Sequence, residues 1–309
     1  MKIACIGECM VELSELGFDK GHARLGVAGD TLNTAVYLQR SLPPGAGQVS
    51  YLTALGDDPL SDQMVAVIAA HGVDTALIAR RAGALPGIYA IDLSPEGERS
   101  FHYWRNASAA RGMFGAGGLA LGTLDDFAVI YLSGITLAIL PPDDRRALIA
   151  RLAACKAQGA RVVFDSNYRP RLWPDIATAQ EAMAAIWAAC SIALPSADDE
   201  AALWGSDDDA AIIARIAAAG VSEIALKRGA RGPLLWRDGQ MIAKTYPPAK
   251  ILRDTTAAGD AFNGAYLAAR LAGHAPESAA MRGHDLACQV IGQPGAIIDV
   301  AHHPAGQSA

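Results

Sequence analysis

Residues 254–264 read DTTAAGDAFNG, a turn of small residues that leads directly into a helical pattern. The helix is predicted to run to about Leu271 and to end at Gly273, since glycine is typical of a helix end. Because the side chains at positions 257–259 are small, successive backbone N–H groups stay uncovered at the positive end of the helix dipole. The stretch therefore predicts an anion site.

Asp260 lies in the first turn of this helix, where the dipole favours an ionised carboxylate. Such a base beside an anion site suits the transfer of a phosphoryl group to a hydroxyl. The backbone of Ala257, Ala258 and Gly259 would hold developing charge while Asp260 accepts the hydroxyl proton. An ordinary helix start with an acidic first-turn residue remains the alternative, and spacing alone does not separate the two.

On the N-terminal side of this stretch, short apolar runs alternate with longer Ala/Leu-rich segments. The predicted strands are 3–7, 49–54, 128–132, 161–165, 191–195 and 223–227. The predicted helices lie near 30–40, 59–71, 142–157, 175–190 and 207–219. Strands that are apolar throughout and separated by helices predict an α/β fold with a mostly parallel sheet covered on both faces.

Residues 87–105 break this pattern, because they read as two alternating runs joined by Ser94-Pro95-Glu96-Gly97. A turn-forming proline and glycine between such runs predict a β-hairpin. The hairpin carries more aromatic side chains than a solvated ribbon needs, namely Tyr89, Phe101, Tyr103 and Trp104. They predict a flap over a site or a contact between subunits. Residues 8–28 are expected to add strands to this small sheet.

Composition limits the class of protein. The chain has 309 residues, of which 51% are hydrophobic and 19% charged, and its formal net charge is −6. These values exclude a disordered chain, and the length allows one large domain or two ordinary ones. The sequence has no cluster of Lys and Arg residues, which argues against nucleic-acid binding. No stretch reaches the roughly 18 apolar residues of a membrane span. A soluble enzyme and a soluble binding protein remain.

The cysteines indicate a reducing compartment. They are Cys5, Cys9, Cys155, Cys190 and Cys288. Their number is odd and none forms a C-x-x-C pair, so neither a zinc site nor a redox dithiol is indicated. We expect them to be small buried hydrophobic residues. Glu8 and Glu12 interrupt the region where a signal peptide needs an apolar run. These observations predict a cytoplasmic protein.

The sequence DTTAAGDAFNGAYLA at 254–268 resembles the C-terminal signature of the ribokinase-like (PfkB-type) carbohydrate kinases. In that family the turn is the anion hole and the aspartate, here Asp260, is the catalytic base. The family usually has Gly-Ala-Gly-Asp where this chain has Ala257-Ala258-Gly259-Asp260, so the first position must tolerate a methyl group. The resemblance implies one ribokinase-like kinase domain over residues 1–309, with a β lid formed by about 8–28 and 87–107.

A second family motif lies near the N-terminus. The usual Gly-Gly-Asp with a following Asn appears as Ala28-Gly29-Asp30-Thr31-Leu32-Asn33. The resemblance implies that Gly29, Asp30 and Asn33 contact the sugar. From the residues alone, Asp30 or Thr31 is equally compatible with a cap on the helix that follows.

The hairpin narrows the resemblance to 2-keto-3-deoxygluconate kinases, because residues 87–111 look like their lid segment. Three further segments are similar too: GECMVEL at 7–13, DSNYRPRLW at 165–173 and LPSADDEAALWG at 194–205. The similarity implies substrate contacts for Tyr89, Tyr103, Arg105 and Arg169.

The chemistry of such a substrate agrees with this assignment. A 2-keto-3-deoxy sugar acid carries a carboxylate, which a guanidinium matches with two parallel hydrogen bonds. Arg105 and Arg169 are the candidates, although Arg169 is also a candidate for the phosphates of ATP. The alternative is that the Tyr103-Trp104-Arg105 strand packs the lid or contacts another subunit. Trp104 is expected on the opposite face from both neighbours.

An ATP-binding loop is implied at Lys227-Arg228-Gly229-Ala230-Arg231-Gly232, which follows the strand at 223–227. The candidate contacts to ATP are Lys227, Gly229, Gly232, Asn167, Arg169, Ala258 and Gly259. The spacing alone also suits any tight turn, and no Walker-type G-x-x-x-x-G-K-[ST] motif occurs.

Magnesium is implied by the family motif Asn-x-x-Glu, which here falls on Ser196-Ala197-Asp198-Asp199-Glu200. Asp199 or Glu200 is then the acidic residue that holds Mg²⁺ through water. A charged helix start that benefits from the dipole is the alternative.

The resemblance therefore implies an ATP- and Mg²⁺-dependent kinase that phosphorylates 2-keto-3-deoxygluconate at its terminal (C6) hydroxyl. A kinase for a neutral sugar such as fructose and a non-catalytic sugar- or nucleotide-binding protein are the alternatives. A homo-oligomer, a dimer or larger, formed through the lid is also expected, without nucleic-acid or membrane partners.

Overall fold

Two β-sheets of unequal size organise the chain. The computed structural model describes residues 1–17, 21–93 and 99–298. The strands are β1 (Lys2–Ile6), β2 (Met10–Gly17), β3 (His22–Ala28), β4 (Gln48–Gly56), β5 (Ile78–Arg81), β6 (Gly87–Leu93), β7 (Arg99–Trp104), β8 (Val129–Ser133), β9 (Arg161–Asp165), β10 (Ile192–Ala193), β11 (Glu223–Leu226), β12 (Leu234–Arg237) and β13 (Gln240–Ile242). The large sheet has the order β13-β12-β11-β10-β9-β8-β1-β4-β5, and the small sheet has the order β3-β2-β6-β7.

The large sheet is parallel from β11 to β5, and only β12 and β13 run antiparallel to their neighbours. The helices are α1 (Asp30–Ser41), α2 (Pro59–Ala70), α3 (Gly134–Ile139), α4 (Pro142–Ala157), α5 (Ile176–Ala189), α6 (Ala197–Trp204), α7 (Asp209–Ala218), α8 (Ala258–Leu271) and α9 (Pro276–Val290). Most of them connect parallel strands, as crossover helices must. The predicted fold class, a mostly parallel α/β sheet with an additional small sheet, is confirmed.

Two hydrophobic cores lie on opposite faces of the large sheet, because successive strand residues point to opposite sides. Ile3 and Cys5 of β1 belong to the core that α1, α2, α8 and α9 cover. Ala4 and Ile6 belong to the core that α3 to α7 cover. Since both faces are buried, the central strands are apolar at every position.

The small sheet contains the predicted hairpin. Strands β6 and β7 pair antiparallel, with Tyr89 opposite Tyr103, and the predicted turn at 94–97 lies outside the described residues. Strand β2 pairs with both β3 and β6, so residues 8–28 contribute the two additional strands that were expected.

Some elements differ from the sequence prediction. The strand predicted at 191–195 is reduced to Ile192–Ala193, and Pro195, which has no N–H to donate, follows it. The short antiparallel ribbon β12–β13 and helix α9 were not predicted. In the part of the chain that the structure describes, no helix has the length and apolar character needed to cross a membrane.

Candidate active site

A cavity of about 650 Å³ lies between the small sheet and the carboxyl ends of the parallel strands. Residues at or after those strand ends line it: Glu8, Ile135, Asp165, Asn167, Arg169, Arg171, Ser196, Asp199 and Lys227. The remaining lining residues are Met10, Tyr89, Phe101, Tyr103 and Arg105 from the small sheet and its end, Gly29, Asp30 and Asn33 around the start of α1, residues 255–260 at the start of α8, and Ala296. Sheets of this kind bind ligands at their strand carboxyl ends, and the volume suits a small molecule.

The turn before α8 forms one wall of the cavity. Ala257 has φ 60°, in the left-handed region that favours glycine and costs an alanine about 1 kcal/mol. The chain therefore has an alanine in a backbone conformation that favours glycine, at the position where the family usually has glycine. A Cβ at Gly259 would lie 3.5 Å from Lys227 Nζ, so an ammonium group stands beside the first-turn N–H groups of α8. The turn and Lys227 together provide positive potential for an anion.

Asp260 faces this cavity from the first turn of α8. Asn33 Nδ2 donates a hydrogen bond to Asp260 Oδ2 over 2.9 Å, and Thr34 Oγ1 donates to the Asp260 backbone carbonyl over 3.3 Å. Burial, followed by the negative charge of Asp30, raises the pKa of Asp260 and the hydrogen bond from Asn33 lowers it, with a net value of about 8. A carboxyl with a pKa near physiological pH is suited to accept a proton.

Asp30 lies beside Asp260 at the first position of α1. Asn167 Nδ2 donates to Asp30 Oδ2 over 2.7 Å, and the Ser133 hydroxyl donates to the same oxygen. Gly29 precedes Asp30 where a Cβ would come within 2.3 Å of the Glu8 carbonyl oxygen. The close approach of backbone at Gly29 therefore brings Asp30 and Asn33 to the ends of the parallel strands.

Lys227 occupies the end of β11 and is held by two side chains. Its Nζ donates to Asp165 Oδ2 over 2.6 Å and to Asn263 Oδ1 over 3.2 Å. Asn263 Nδ2 also donates to Asp165 Oδ2 over 2.7 Å. Because Asn263 lies one turn after Asp260 in α8, this cluster fixes the start of α8 against β9 and β11.

Arg169 and Asp199 face each other across the same edge of the sheet. Arg169 Nη1 donates to Asp199 Oδ1 over 3.0 Å and to the carbonyl oxygen of Tyr168 over 2.8 Å. Burial raises the pKa of Asp199 to about 6, and the charge of Arg169 opposes that rise. A nearby cation is therefore favourable for this carboxylate.

The hairpin presents aromatic side chains to the cavity. The rings of Tyr89 and Tyr103 stack with centroids 5.8 Å apart. The Tyr89 hydroxyl donates to Glu12 Oε2, which fixes the ring, and burial together with the charge of Glu12 raises the pKa of this tyrosine. Trp104 is 62% exposed on the other face of β7, so it is not a core residue.

Arg105 follows β7 and is 7% exposed. It forms an ion pair with Glu8, which follows β1, and Arg105 Nε donates to Glu8 Oε2 over 2.8 Å. Arg105 therefore lines the cavity, as a substrate contact would, while one carboxylate of the chain already meets one edge of its guanidinium.

Three predicted site residues lie outside the cavity lining. Gly229 and Gly232 have φ of 54° and 71°, and they form the turn between β11 and β12. Glu200 is fully buried and ion-paired with Arg215, which disagrees with a metal role for its carboxylate. Of the two acidic candidates, only Asp199 reaches the cavity.

Three charged cavity residues were not predicted, namely Glu8, Asp165 and Arg171, and neither was Asn263, which contacts the cavity residues Asp165 and Lys227. Asp165 ends a buried parallel strand and Glu8 follows another. Because such sheets bind ligands at the carboxyl ends of their strands, this position in the sequence could have identified both residues as candidates. Within the described ranges no group of three His, Cys, Asp or Glu residues is arranged to hold a metal ion by itself. Mg²⁺ commonly uses one or two carboxylates together with substrate phosphates and water, and Asp199 fits that use.

Comparison with known proteins agrees with the resemblance of the sequence motifs. The model of the pfkB family of carbohydrate kinases matches residues 1–303. A 2-dehydro-3-deoxygluconokinase from Escherichia coli K12 is 45% identical over 310 residues, covering 98% of this chain and 99% of the relative. The crystal structure of a 2-dehydro-3-deoxygluconokinase from Thermotoga maritima has a TM-score of 0.83 and 23% identity, covering 97% of this chain and 95% of that one. An Escherichia coli protein crystallised with ATP and Mg²⁺ has a TM-score of 0.82 and 23% identity, covering 96% and 94%.

Proposed function

Because the chain belongs to the pfkB family of carbohydrate kinases, we propose that it transfers the γ-phosphoryl group of ATP to the C6 hydroxyl of 2-dehydro-3-deoxygluconate (2-keto-3-deoxygluconate). The products are 2-keto-3-deoxy-6-phosphogluconate and ADP. The reaction class, ATP-dependent phosphorylation of a sugar, follows from the family. The observation that carries the mechanism is a proton acceptor, Asp260, beside a positively polarised turn in a cavity that also holds arginines.

Asp260 is the general base of this proposal. Its carboxylate takes the proton of the acceptor hydroxyl as the oxygen attacks the γ-phosphorus. Asn33 orients the carboxylate through its hydrogen bond to Oδ2, and the pKa of about 8 leaves part of the population ionised at neutral pH. The proton remains on Asp260 until product leaves.

The anion hole holds the transferring group. Residues 257–259 line the cavity where α8 begins, and the ammonium of Lys227 lies beside Gly259. The Ala258 N–H donates to the Thr255 carbonyl over 3.3 Å, so the N–H groups of Ala257 and Gly259 are the donors proposed for the anion. The turn and the ammonium both act where negative charge increases in the transition state, and such contacts are strongest when water is excluded from the site. Asn167 and Arg169 are the further candidates for contacts to ATP, whereas Gly229 and Gly232 act by shaping the turn after β11.

Magnesium fits the donor set of this cavity. Asp199 of α6 would hold it, through water, and Asp165 at the end of β9 also lines the cavity, with one oxygen already engaged by Lys227. When bound, the ion neutralises charge on the phosphate oxygens. Burial of Asp199 disfavours its ionised form, so a cation there compensates the carboxylate.

The sugar acid lies under the small sheet in this proposal. Arg105 binds its carboxylate, Arg169 is the second candidate for that contact besides its candidate contact to ATP, and Tyr89 and Tyr103 cover the carbon chain. Asp30 and Gly29 lie at the other side of the cavity, beside the base. Closure of the small sheet as a lid excludes water, which otherwise competes as the phosphoryl acceptor.

Asp260→Asn tests the mechanism. The variant keeps the size and hydrogen-bonding reach of the side chain but cannot accept the proton. We expect kcat to fall by a factor on the order of 10³, while the Kd for ATP changes little. Asp143→Asn, a change in the exposed first turn of α4, is the matched control. Normal turnover in Asp260→Asn excludes Asp260 as the base.

A kinase for a neutral sugar such as fructose is the second candidate within this family. A neutral sugar would leave the Nη1 edge of Arg105, which donates to no residue in the described part of the chain, without a carboxylate, which argues against it. A non-catalytic binding protein is disfavoured by the intact base and anion turn. Both alternatives are addressed by substrate comparison.

We also propose that the enzyme acts in the cytoplasm as a homo-oligomer that associates through the small sheet. The five free cysteines, four of them buried, are consistent with a reducing compartment. Its partners are then the sugar acid, ATP and a second copy of the chain.

A further inference from the structure

An ion pair joins the two sheets at the cavity. Glu8 follows β1 of the large sheet, and Arg105 follows β7 of the small sheet, 97 residues further along the chain. Arg105 Nε donates to Glu8 Oε2 over 2.8 Å, and Arg105 Nη2 donates to the same oxygen. Both residues line the cavity.

Both partners are removed from water. The side chain of Glu8 is 0% exposed and that of Arg105 is 7% exposed. Desolvating two charges costs free energy that their attraction offsets only with good geometry, so such a pair is weak evidence for a stabilising role. Because both residues lie in the cavity wall, we expect the pair to act in ligand binding instead.

The pair uses only one edge of the guanidinium. Arg105 Nη1 donates to no residue in the described part of the chain, and Glu8 Oε1 is buried with no hydrogen-bond partner there. A guanidinium offers two edges, each able to meet a carboxylate. With the Nε edge held by Glu8, the Nη1 edge remains for a ligand.

The backbone makes room for this arrangement. A Cβ at Gly87, the first residue of β6, would lie 2.8 Å from Glu8 Oε1 and 3.3 Å from Arg105 Cβ. The ring of Tyr103 covers the guanidinium at 5.8 Å. Arg105 is therefore confined from several sides, and its long side chain has few rotamers left.

We propose that Glu8 is a positioning residue that sets acid selectivity, by holding Arg105 so that its free edge meets the carboxylate of the substrate. This inference rests on the proposed function. A flexible arginine loses rotamer freedom when it binds a carboxylate, and Glu8 removes that cost before the substrate arrives.

The test is Glu8→Gln, which keeps the side-chain shape and removes the charge. We expect the KM for 2-keto-3-deoxygluconate to rise about tenfold. A poorly oriented Arg105 loses a charge-assisted hydrogen bond to the substrate carboxylate, and such a bond contributes about tenfold in affinity. The KM for ATP and kcat at saturating sugar acid should stay within twofold. A loss of packing alone does not produce this division between the two substrates.

The direction of the change separates two explanations. Removal of a negative charge beside Arg105 strengthens the attraction for an acid, so a purely electrostatic role predicts a lower KM. Only loss of orientation predicts a higher one. An unchanged or lower KM for the sugar acid in Glu8→Gln overturns the proposal.

A double-mutant comparison shows whether Glu8 acts through Arg105. In an Arg105→Ala background, Glu8→Gln should raise the KM for the sugar acid no further. A further rise of similar size overturns the proposal, because Glu8 then contacts the substrate by another route.

Glu223→Gln is the matched control. Glu223 is also a buried glutamate in an ion pair, with Arg270, and it lies outside the cavity lining. We expect this variant to lose thermal stability with both KM values unchanged. A KM rise in Glu223→Gln equal to that of Glu8→Gln overturns the proposal, since any buried pair would then suffice.

Glu8→Asp serves if Glu8→Gln does not fold. It keeps the charge and shortens the side chain by one methylene, so the guanidinium is drawn from its position and the KM for the acid again rises. A wild-type enzyme that neither binds nor phosphorylates the sugar acid contradicts the proposed function itself, and this inference with it. Wild-type activity with no KM change in either Glu8 variant contradicts this inference alone.

Discussion

At the residue level, Asp260 is placed among neighbours with opposing effects on its proton. Burial and the charge of Asp30 raise its pKa, while Asn33 and the charge of Lys227 lower it. The result, about 8, places the ionisation of the proposed base near physiological pH. The pH dependence of the reaction therefore reports on this residue.

We expect kcat/KM for the sugar acid to fall as the pH drops below about 8, because only the ionised form of Asp260 accepts a proton. Roughly a tenth of the free enzyme is ionised at one pH unit below the pKa. Initial rates from pH 5.5 to 9 measure this limb, and a second limb near pH 6 would belong to Asp199. A flat profile down to pH 5.5 contradicts the assignment.

The same raised pKa affects stability. The Asp260 carboxyl binds its proton more tightly in the folded state than in the unfolded state. The folded protein therefore loses stability as the pH rises from the ordinary pKa of an aspartate toward about 8. Asp260→Asn has no charge to bury, so its melting temperature should exceed that of the wild type by more at pH 8.5 than at pH 5. Thermal denaturation of the ligand-free proteins measures the difference. An equal difference at both values contradicts the pKa direction.

The sequence predicted many single residues of the site but not their partners. Asp260, Asn33 and Lys227 could be named from motifs, and the structure brings them into one cavity. Glu8 could not be paired with Arg105, because nothing local in a sequence indicates a contact over 97 residues. Glu200 was a candidate because the family motif Asn-x-x-Glu falls on residues 196–200, and only its burial and its ion pair with Arg215 argue against it.

At the level of elements, the crossing of α1 and α8 positions the base. A Cβ at Gly264 would lie 2.7 Å from the Leu38 backbone nitrogen and 2.7 Å from Tyr37 Cβ. This glycine lets the helices approach until Asn33 of α1 reaches Asp260 of α8. The distance between the two helices is therefore a functional property.

Gly264→Ala should separate the helices. We expect a loss of about 1–3 kcal/mol in the free energy of unfolding, as for other overpacked sites, and a lower kcat because Asp260 moves from Asn33. Denaturant unfolding and steady-state kinetics measure both. Gly122→Ala is the control, since the nearest atom to its added Cβ is 4.0 Å away. If both variants behave like the wild type, the close crossing does not matter.

The central strands and most helices between them could be predicted from the sequence, whereas the edge ribbon β12–β13 and the C-terminal helix α9 could not. The helix predicted at 142–157 occupies those residues, and β9 occupies 161–165 as predicted. Apolar runs and a proline start gave these boundaries. The ribbon β12–β13 has strands of only four and three residues, too short for a periodic pattern.

At the level of the whole molecule, the small sheet has two sides. Tyr89 and Tyr103 face the cavity, and the register of the sheet puts Leu25 and Trp104 on the opposite face. Those two side chains are 66% and 62% exposed. Exposed large apolar groups on a sheet are typical of an interaction surface.

We expect light scattering after size exclusion to show a dimer or larger assembly, and Trp104→Glu to reduce the mass toward that of the monomer. Met241→Glu, which changes an exposed apolar residue on β13 of the large sheet, should leave the assembly intact. A wild-type monomer at the working concentration contradicts association through the small sheet.

The most direct test of the account is an ADP-formation assay with the purified protein, Mg²⁺ and five acceptors: 2-keto-3-deoxygluconate, its galactonate epimer, gluconate, fructose and ribose. The free edge of Arg105 and the base Asp260 predict turnover confined to the keto-deoxy acids, with the phosphoryl group on the terminal hydroxyl. Equal or faster turnover of fructose or ribose would contradict the sugar-acid assignment and leave only the kinase fold and Asp260.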